Sequence, residues 1–270
     1  MRSVENGLLG HVKLERKESN MDKQNYFFDI FSLTQEDHQK TLRQWKLLME
    51  TKSTFIPPEK IQEFEPGSII NKYKLRVWIS TGDYSLASYS ADNLQLNPFM
   101  FEVQLLNIIS IVNDALFTLE RLGIKHGNIS AETIFRFNDS WILSTPNFDS
   151  SSLRIRCEKF KEPLKFLLPP ESENVNDIDL VDQFKMDLYS LGVTLLHILD
   201  PFPVNFQRDI LPSEKIDEKI AILEPYYSKS LMSIFTQILS PNPETRLSPQ
   251  ALKNYLDELG DINEQIFVTL

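Results

Sequence analysis

The stretch from Met186 to Leu199 is apolar on nearly every side of a helix, and its main polar exceptions are Asp187, Ser190, Thr194 and His197. A surface helix carries one polar face, so a helix that is apolar nearly all round belongs inside a domain. Enclosing such a helix requires other elements on several of its sides. We therefore predict a large domain that packs around this central helix.

Further helices are predicted in the same part of the chain. Apolar residues recur at helical spacing from Pro98 to Leu122, and helices are also predicted from Lys229 to Leu239 and from Ser248 to Leu259. Asn242-Pro243 separates the last two, and Ser248-Pro249 is typical of a helix start, where a capping hydroxyl precedes proline. The C-terminal part of the chain is therefore predicted to be mainly helical.

The N-terminal part has a different pattern. Short apolar or alternating runs from Leu8 to Leu14, Tyr26 to Phe31 and Tyr73 to Ile79 predict strands. Between them, the spacing predicts a helix from Thr34 to Glu50, with Thr34 as its N-cap. A strand-rich unit over residues 1–80 is thus expected to precede a helical unit over 81–260. Residues 261–270 are predicted to form a tail whose apolar end packs on its own domain or on a partner.

The composition limits the possible partners. The formal net charge is −10, which disfavours nucleic acid or an anionic membrane surface, because both select a cationic face. Cys157 is the only cysteine, so no internal disulfide forms and a reducing cytoplasmic setting is expected. The N-terminus lacks the apolar run of a signal peptide, and no stretch approaches the length of uncharged apolar chain that spans a bilayer.

Four short segments carry more specific information, in a fixed order. They are HGNI at residues 126–129, PE at 170–171, DLYSLGV at 187–193 and NPETRLS at 242–248. In this order and with these gaps they resemble the H-R-D-L, A-P-E, D-x-W-S-x-G-V and D-P-x-x-R-x-[ST] segments of protein kinase domains. The resemblance covers nearly the whole chain and is best in its C-terminal half.

The resemblance implies a bilobal α+β fold: a small antiparallel β-sheet lobe with one helix, and a larger, mainly α-helical lobe. It also implies structural roles for several retained residues. Glu171 and Arg246 are expected to form a buried ion pair, and Asp187 is expected to accept hydrogen bonds from the backbone of the turn at His126. Gly192 belongs to the retained buried-helix motif, and His126 is expected to pack in the core.

The residues that transfer phosphate in the family are replaced. Asn128 stands where the family has its catalytic aspartate, and an amide cannot take a proton. Ser130 replaces the lysine of the same loop, and Thr133 replaces its metal-binding asparagine. The segment equivalent to D-F-G begins at Asn147 in the best register, and an amide there is a poor magnesium ligand. The resemblance therefore implies neither a metal ion nor a cofactor.

The strand-rich unit shows matching changes. The glycine-rich loop of the family is partly retained at Gly7 and Gly10, and the lysine of the family's A-x-K strand is replaced by Asp29. Because positions two apart share a strand face, Phe27 and Asp29 are expected to enter and block the nucleotide cleft together. The helix glutamate that pairs with this lysine falls near Gln44. Lys13, on a neighbouring strand position, is expected to face away from the cleft.

These observations predict a catalytically inactive protein-kinase-like domain that serves as a protein-binding scaffold or allosteric partner, in the cytoplasm and without measurable nucleotide binding. Two alternatives remain open at this point. One is a divergent active kinase that performs ATP-dependent Ser/Thr phosphotransfer with non-standard residues. The other is a permanent structural subunit of a cytoskeletal assembly, such as a microtubule or ciliary one, or of another large complex.

Overall fold

The computed structural model describes residues 25–32, 34–51, 58–65, 73–80, 84–93, 100–137, 140–144, 167–173, 182–199 and 212–268. Within these ranges the protein is a mixed α/β structure with seven α-helices and two antiparallel three-stranded sheets. The predicted strand from Leu8 to Leu14, the glycines at 7 and 10, Lys13 and Asn147 lie outside the described residues.

The first sheet is formed by β1 (Asn25–Ser32), β2 (Pro58–Phe64) and β3 (Tyr73–Ser80), with β3 in the centre. Helix α1 (Gln35–Glu50) contacts all three strands. It begins at the predicted N-cap, because the Thr34 hydroxyl accepts a hydrogen bond from the Asp37 backbone N–H at 3.1 Å. The apolar residues between helix and sheet are fully or almost fully buried: Leu42, Trp45 and Leu48 of α1, with Leu75 and Val77 of β3.

The second sheet is smaller and lies in the part of the chain that follows. It is formed by β4 (Tyr84–Ser85), β5 (Ile134–Phe137) and β6 (Ser140–Leu143), in that order. Helix α2 (Leu86–Asn93) follows β4 directly. This sheet contacts helix α3 (Glu102–Arg121) through β6, so the loop that leads from α3 to β5 lies beside the end of β6.

The remaining helices include the predicted central helix, which is α4 (Gln183–Leu199). The others are α5 (Ser213–Leu223), α6 (Lys229–Ile238) and α7 (Pro249–Val268), and a short 3₁₀-helix spans Pro170–Glu173. Helix α4 is buried along nearly its whole length and contacts α3, α6 and α7. The prediction of a buried helix at this position is therefore confirmed.

Helix α3 is the one described helix that is long and apolar enough, by length and composition, to cross a membrane. Core helices of soluble proteins have the same properties. Its buried residues, among them Leu105, Val112 and Leu119, belong to the same apolar core as those of α4. The helix begins at Glu102, a few residues after the predicted start at Pro98.

Helix α7 differs from the prediction in its length. Its start agrees, since the Ala251 backbone N–H donates to the Ser248 hydroxyl at 3.2 Å, as expected of an N-cap. Its end does not, because the helix continues through Gly260 to Val268, across the predicted start of a separate tail. One glycine lowers helix stability only by about 1 kcal/mol relative to alanine, so it does not end the helix by itself.

Candidate functional site

Asp187 anchors the turn that the sequence analysis compared with a catalytic loop. One of its carboxylate oxygens accepts the His126 backbone N–H and the other accepts the Gly127 backbone N–H, each at 2.8 Å. The φ angle of Gly127 is 70°, a left-handed conformation that glycine adopts without the steric cost of a Cβ. Because Asp187 lies on α4, it fixes the turn to the central helix of the fold. The role expected for Asp187 is thus observed.

His126 joins the same turn to the end of β6. Its side chain is fully buried, its Nδ1 atom lies 3.3 Å from the Asn128 backbone nitrogen, and its Nε2 atom lies 3.0 Å from the Ser144 carbonyl oxygen. Since the backbone N–H of Asn128 donates to Nδ1, Nε2 carries the hydrogen and donates to Ser144. The imidazole thus acts once as a donor and once as an acceptor in the core.

Thr133 closes the loop that follows the turn. Its hydroxyl accepts the Ser130 backbone N–H at 2.9 Å. The carbonyl oxygens of Asn128 and Ser130 both lie 2.9 Å from the hydroxyl oxygen and share its single hydrogen as acceptors. The Thr133 backbone N–H also donates to the Ser130 carbonyl at 3.0 Å. The resemblance implied for Thr133 only the replacement of a metal-binding asparagine. In the structure, this hydroxyl holds the backbone of the loop.

The three residues at positions 128, 130 and 133 of the loop differ in burial. Ser130 is buried, whereas Asn128 and Thr133 are half-buried. Glu132 is exposed and supplies the carboxylate of this loop. The loop can offer hydrogen bonds, and at position 128 it offers an amide, which does not act as a proton acceptor.

Glu171 and Arg246 form the expected ion pair. Nη1 and Nη2 of Arg246 donate to the two carboxylate oxygens of Glu171 at 2.5 and 3.0 Å, and Nε donates to the Ser240 carbonyl at 2.9 Å. The Arg246 side chain is completely buried, and that of Glu171 is 12% exposed. A planar guanidinium that uses all three nitrogens in this way fixes the 3₁₀-helix against the segment between α6 and α7.

Tyr189 completes the surroundings of this ion pair. The Arg246 guanidinium carbon lies 4.8 Å from the centroid of the Tyr189 ring, which is the geometry of a cation–π contact. Burial raises the pKa of the Tyr189 hydroxyl far above its ordinary value, although the positive charge of Arg246 opposes that shift. The contact was missed in the sequence analysis, which used Tyr189 only as part of a motif. The aromatic residue two positions after Asp187 was the available signal.

Gly192 allows α4 to approach the end of α6. A Cβ atom built on Gly192 would lie 2.8 Å from the Cγ and Cδ2 atoms of Leu239 and 3.1 Å from Cδ1 of Ile238. Real Cβ contacts are not this short, so these side chains occupy the space that any larger residue needs. The requirement for glycine in this motif is therefore one of close packing.

The two faces of the first sheet are distinct. The rings of Tyr73 and His38 stack with centroids 5.4 Å apart, and His38 lies on α1, so the Tyr73 side of β3 faces the helix. On the alternate positions, Lys74 Nζ lies 4.6 Å and Arg76 Cζ lies 5.5 Å from the centroid of the Phe64 ring. The Phe64 side of the sheet is therefore the face directed away from α1.

This arrangement bears on the strand positions predicted to block a nucleotide cleft. In the backbone register, Phe27 lies opposite Trp78 and Asp29 lies opposite Arg76. Directly opposed residues of antiparallel strands share a face, so these positions belong to the face away from α1. The register does not bring position 29 together with Gln44, which is half-buried on α1. The side chains of Phe27 and Asp29 lie outside the described part of the structure.

The chemistry available at the site can now be stated. Within the described ranges, no three His, Cys, Asp or Glu side chains are grouped so that they could hold a metal ion. Asp187, Thr133 and His126 each form hydrogen bonds with backbone groups. No family model matches the sequence, and no curated protein matches it. The geometry of these residues therefore carries the functional argument alone.

Proposed function

We propose that the protein is a catalytically inactive, bilobal protein-kinase-like domain that acts in the cytoplasm as a protein-binding scaffold or allosteric partner. Two contacts support the kinase-like fold, because the resemblance predicted both of them between distant parts of the chain. They are the hydrogen bonds from the turn at His126 to Asp187 and the ion pair between Glu171 and Arg246. The three-stranded antiparallel sheet with α1, followed by the helices, agrees with the same architecture.

One observation supports inactivity above the others. Asp187 holds the turn in place, but the residue presented there is Asn128, and the loop that follows it is closed by the Thr133 hydroxyl. A positioned base contributes about 10²–10⁴ to the rate, and an amide does not replace it. Without a lysine and acidic metal ligands, the electrostatic stabilisation of the transferring phosphoryl group is lost as well.

The experiment compares three proteins in an assay of phosphate transfer from γ-labelled ATP, with magnesium or manganese, to themselves and to a generic protein substrate. They are the unchanged chain, Asn128→Asp and Glu132→Gln. We expect no transfer above the protein-free background from any of them, since restoring one carboxylate does not restore the lysine or the metal ligands. We also expect no shift of the unfolding temperature with ATP and magnesium.

The rival hypothesis, a divergent active kinase, makes the opposite prediction. Glu132 is the exposed carboxylate of the loop and is the group that such an enzyme would use as its base. Transfer by the unchanged chain that Glu132→Gln abolishes would establish the rival and refute the proposal. A shift of several degrees with ATP and magnesium would refute the absence of nucleotide binding, even if no transfer occurred.

A further inference from the structure

We draw no further inference here: the strongest candidate, the surface patch of the first sheet where Lys74 and Arg76 lie beside the Phe64 ring on the face directed away from α1, carries nothing, because both cations take part in further interactions within the chain and nothing in the structure shows what covers this face.

Discussion

Arg246 and Glu171 form a bidentate ion pair although they are 75 positions apart in the chain. The guanidinium is completely buried and is held from a third side by the Ser240 carbonyl. A buried charge is costly unless it is paired and hydrogen-bonded, and here every nitrogen of the arginine has a partner. The pair therefore fixes the position of the 3₁₀-helix relative to α6 and α7.

The first prediction concerns this ion pair. Glu171→Gln leaves Arg246 buried beside a neutral amide, and loss of one partner of a buried pair costs about 3–5 kcal/mol. We expect the urea midpoint to fall accordingly, with an unchanged slope. The control is Glu218→Gln, which removes an exposed partner of Lys215 and should leave the midpoint unchanged. An unaltered midpoint for Glu171→Gln would show that the pair does not stabilise the fold.

The second prediction concerns the anchor of the turn. In Asp187→Asn, one acceptor oxygen becomes an NH₂ group that faces the backbone N–H of His126 or Gly127. We expect a loss of about 1.5–3 kcal/mol, the value of one hydrogen bond to a charged group. Native-state hydrogen exchange of the His126 and Gly127 backbone amides should be faster in this variant than in the unchanged chain.

Asp182→Asn is the matched control, because Asp182 is exposed and accepts the Phe184 and Lys185 backbone N–H groups at the start of α4. Asparagine caps a helix about as well as aspartate, and removal of the negative charge lessens the repulsion of Glu120, so we expect no loss of stability. Equal losses in the two variants would contradict a special role for Asp187.

The helices were the most predictable part of the fold. Helix α4 is apolar all round and α1 has a capping hydroxyl before its apolar spacing, so composition and pattern determine them locally. Strand β2 was missed because it is an edge strand in which only Ile61 and Phe64 are apolar, and its first residue is Pro58. The sequence of such a strand shows little alternation of apolar and polar residues, and its structure is decided by pairing with β3.

The site was predictable only where a motif specifies a contact. Asp187 with the turn and Glu171 with Arg246 followed from the resemblance. The role of Thr133 did not, because a hydroxyl that bonds three backbone groups depends on the path of the loop and not on the residue type. The stacking of Arg246 on Tyr189 depends in the same way on how α4 packs against the segment after α6.

The third prediction concerns the close packing at Gly192. Gly192→Ala places a methyl group against Leu239 and is expected to cost about 1–3 kcal/mol, as overpacking does. Leu239→Ala alone leaves a cavity. In the double variant with Gly192→Ala, the total loss of stability should be smaller than the sum of the losses in the two single variants. Gly123→Ala serves as a comparison, because a Cβ there would meet nothing within 4 Å. At its φ angle of 66° alanine strains the backbone, so some stability is lost, and this loss should add in full to that of Leu239→Ala. Additive losses for Gly192→Ala and Leu239→Ala would refute the contact.

The fourth prediction concerns the pH dependence of stability at Glu120. Burial and the negative charge of Asp182 raise the pKa of this carboxyl above its ordinary value, and the backbone N–H of Gln250 only partly opposes them. In the window above the ordinary value of 4.5, the folded state therefore binds more protons than the unfolded state. Stability then decreases as the pH rises through this window.

Glu120→Gln removes that ionisation and retains an acceptor oxygen for Gln250. We expect this variant to be more stable than the unchanged chain at pH 7.5, and the difference to disappear near pH 4, where Glu120 is protonated in both states. Urea unfolding at these two pH values measures it. Glu132 is exposed, so Glu132→Gln should differ in stability from the unchanged chain by the same small amount at both pH values. If the stability difference between Glu120→Gln and the unchanged chain were the same at pH 7.5 as at pH 4, burial would not penalise this carboxylate.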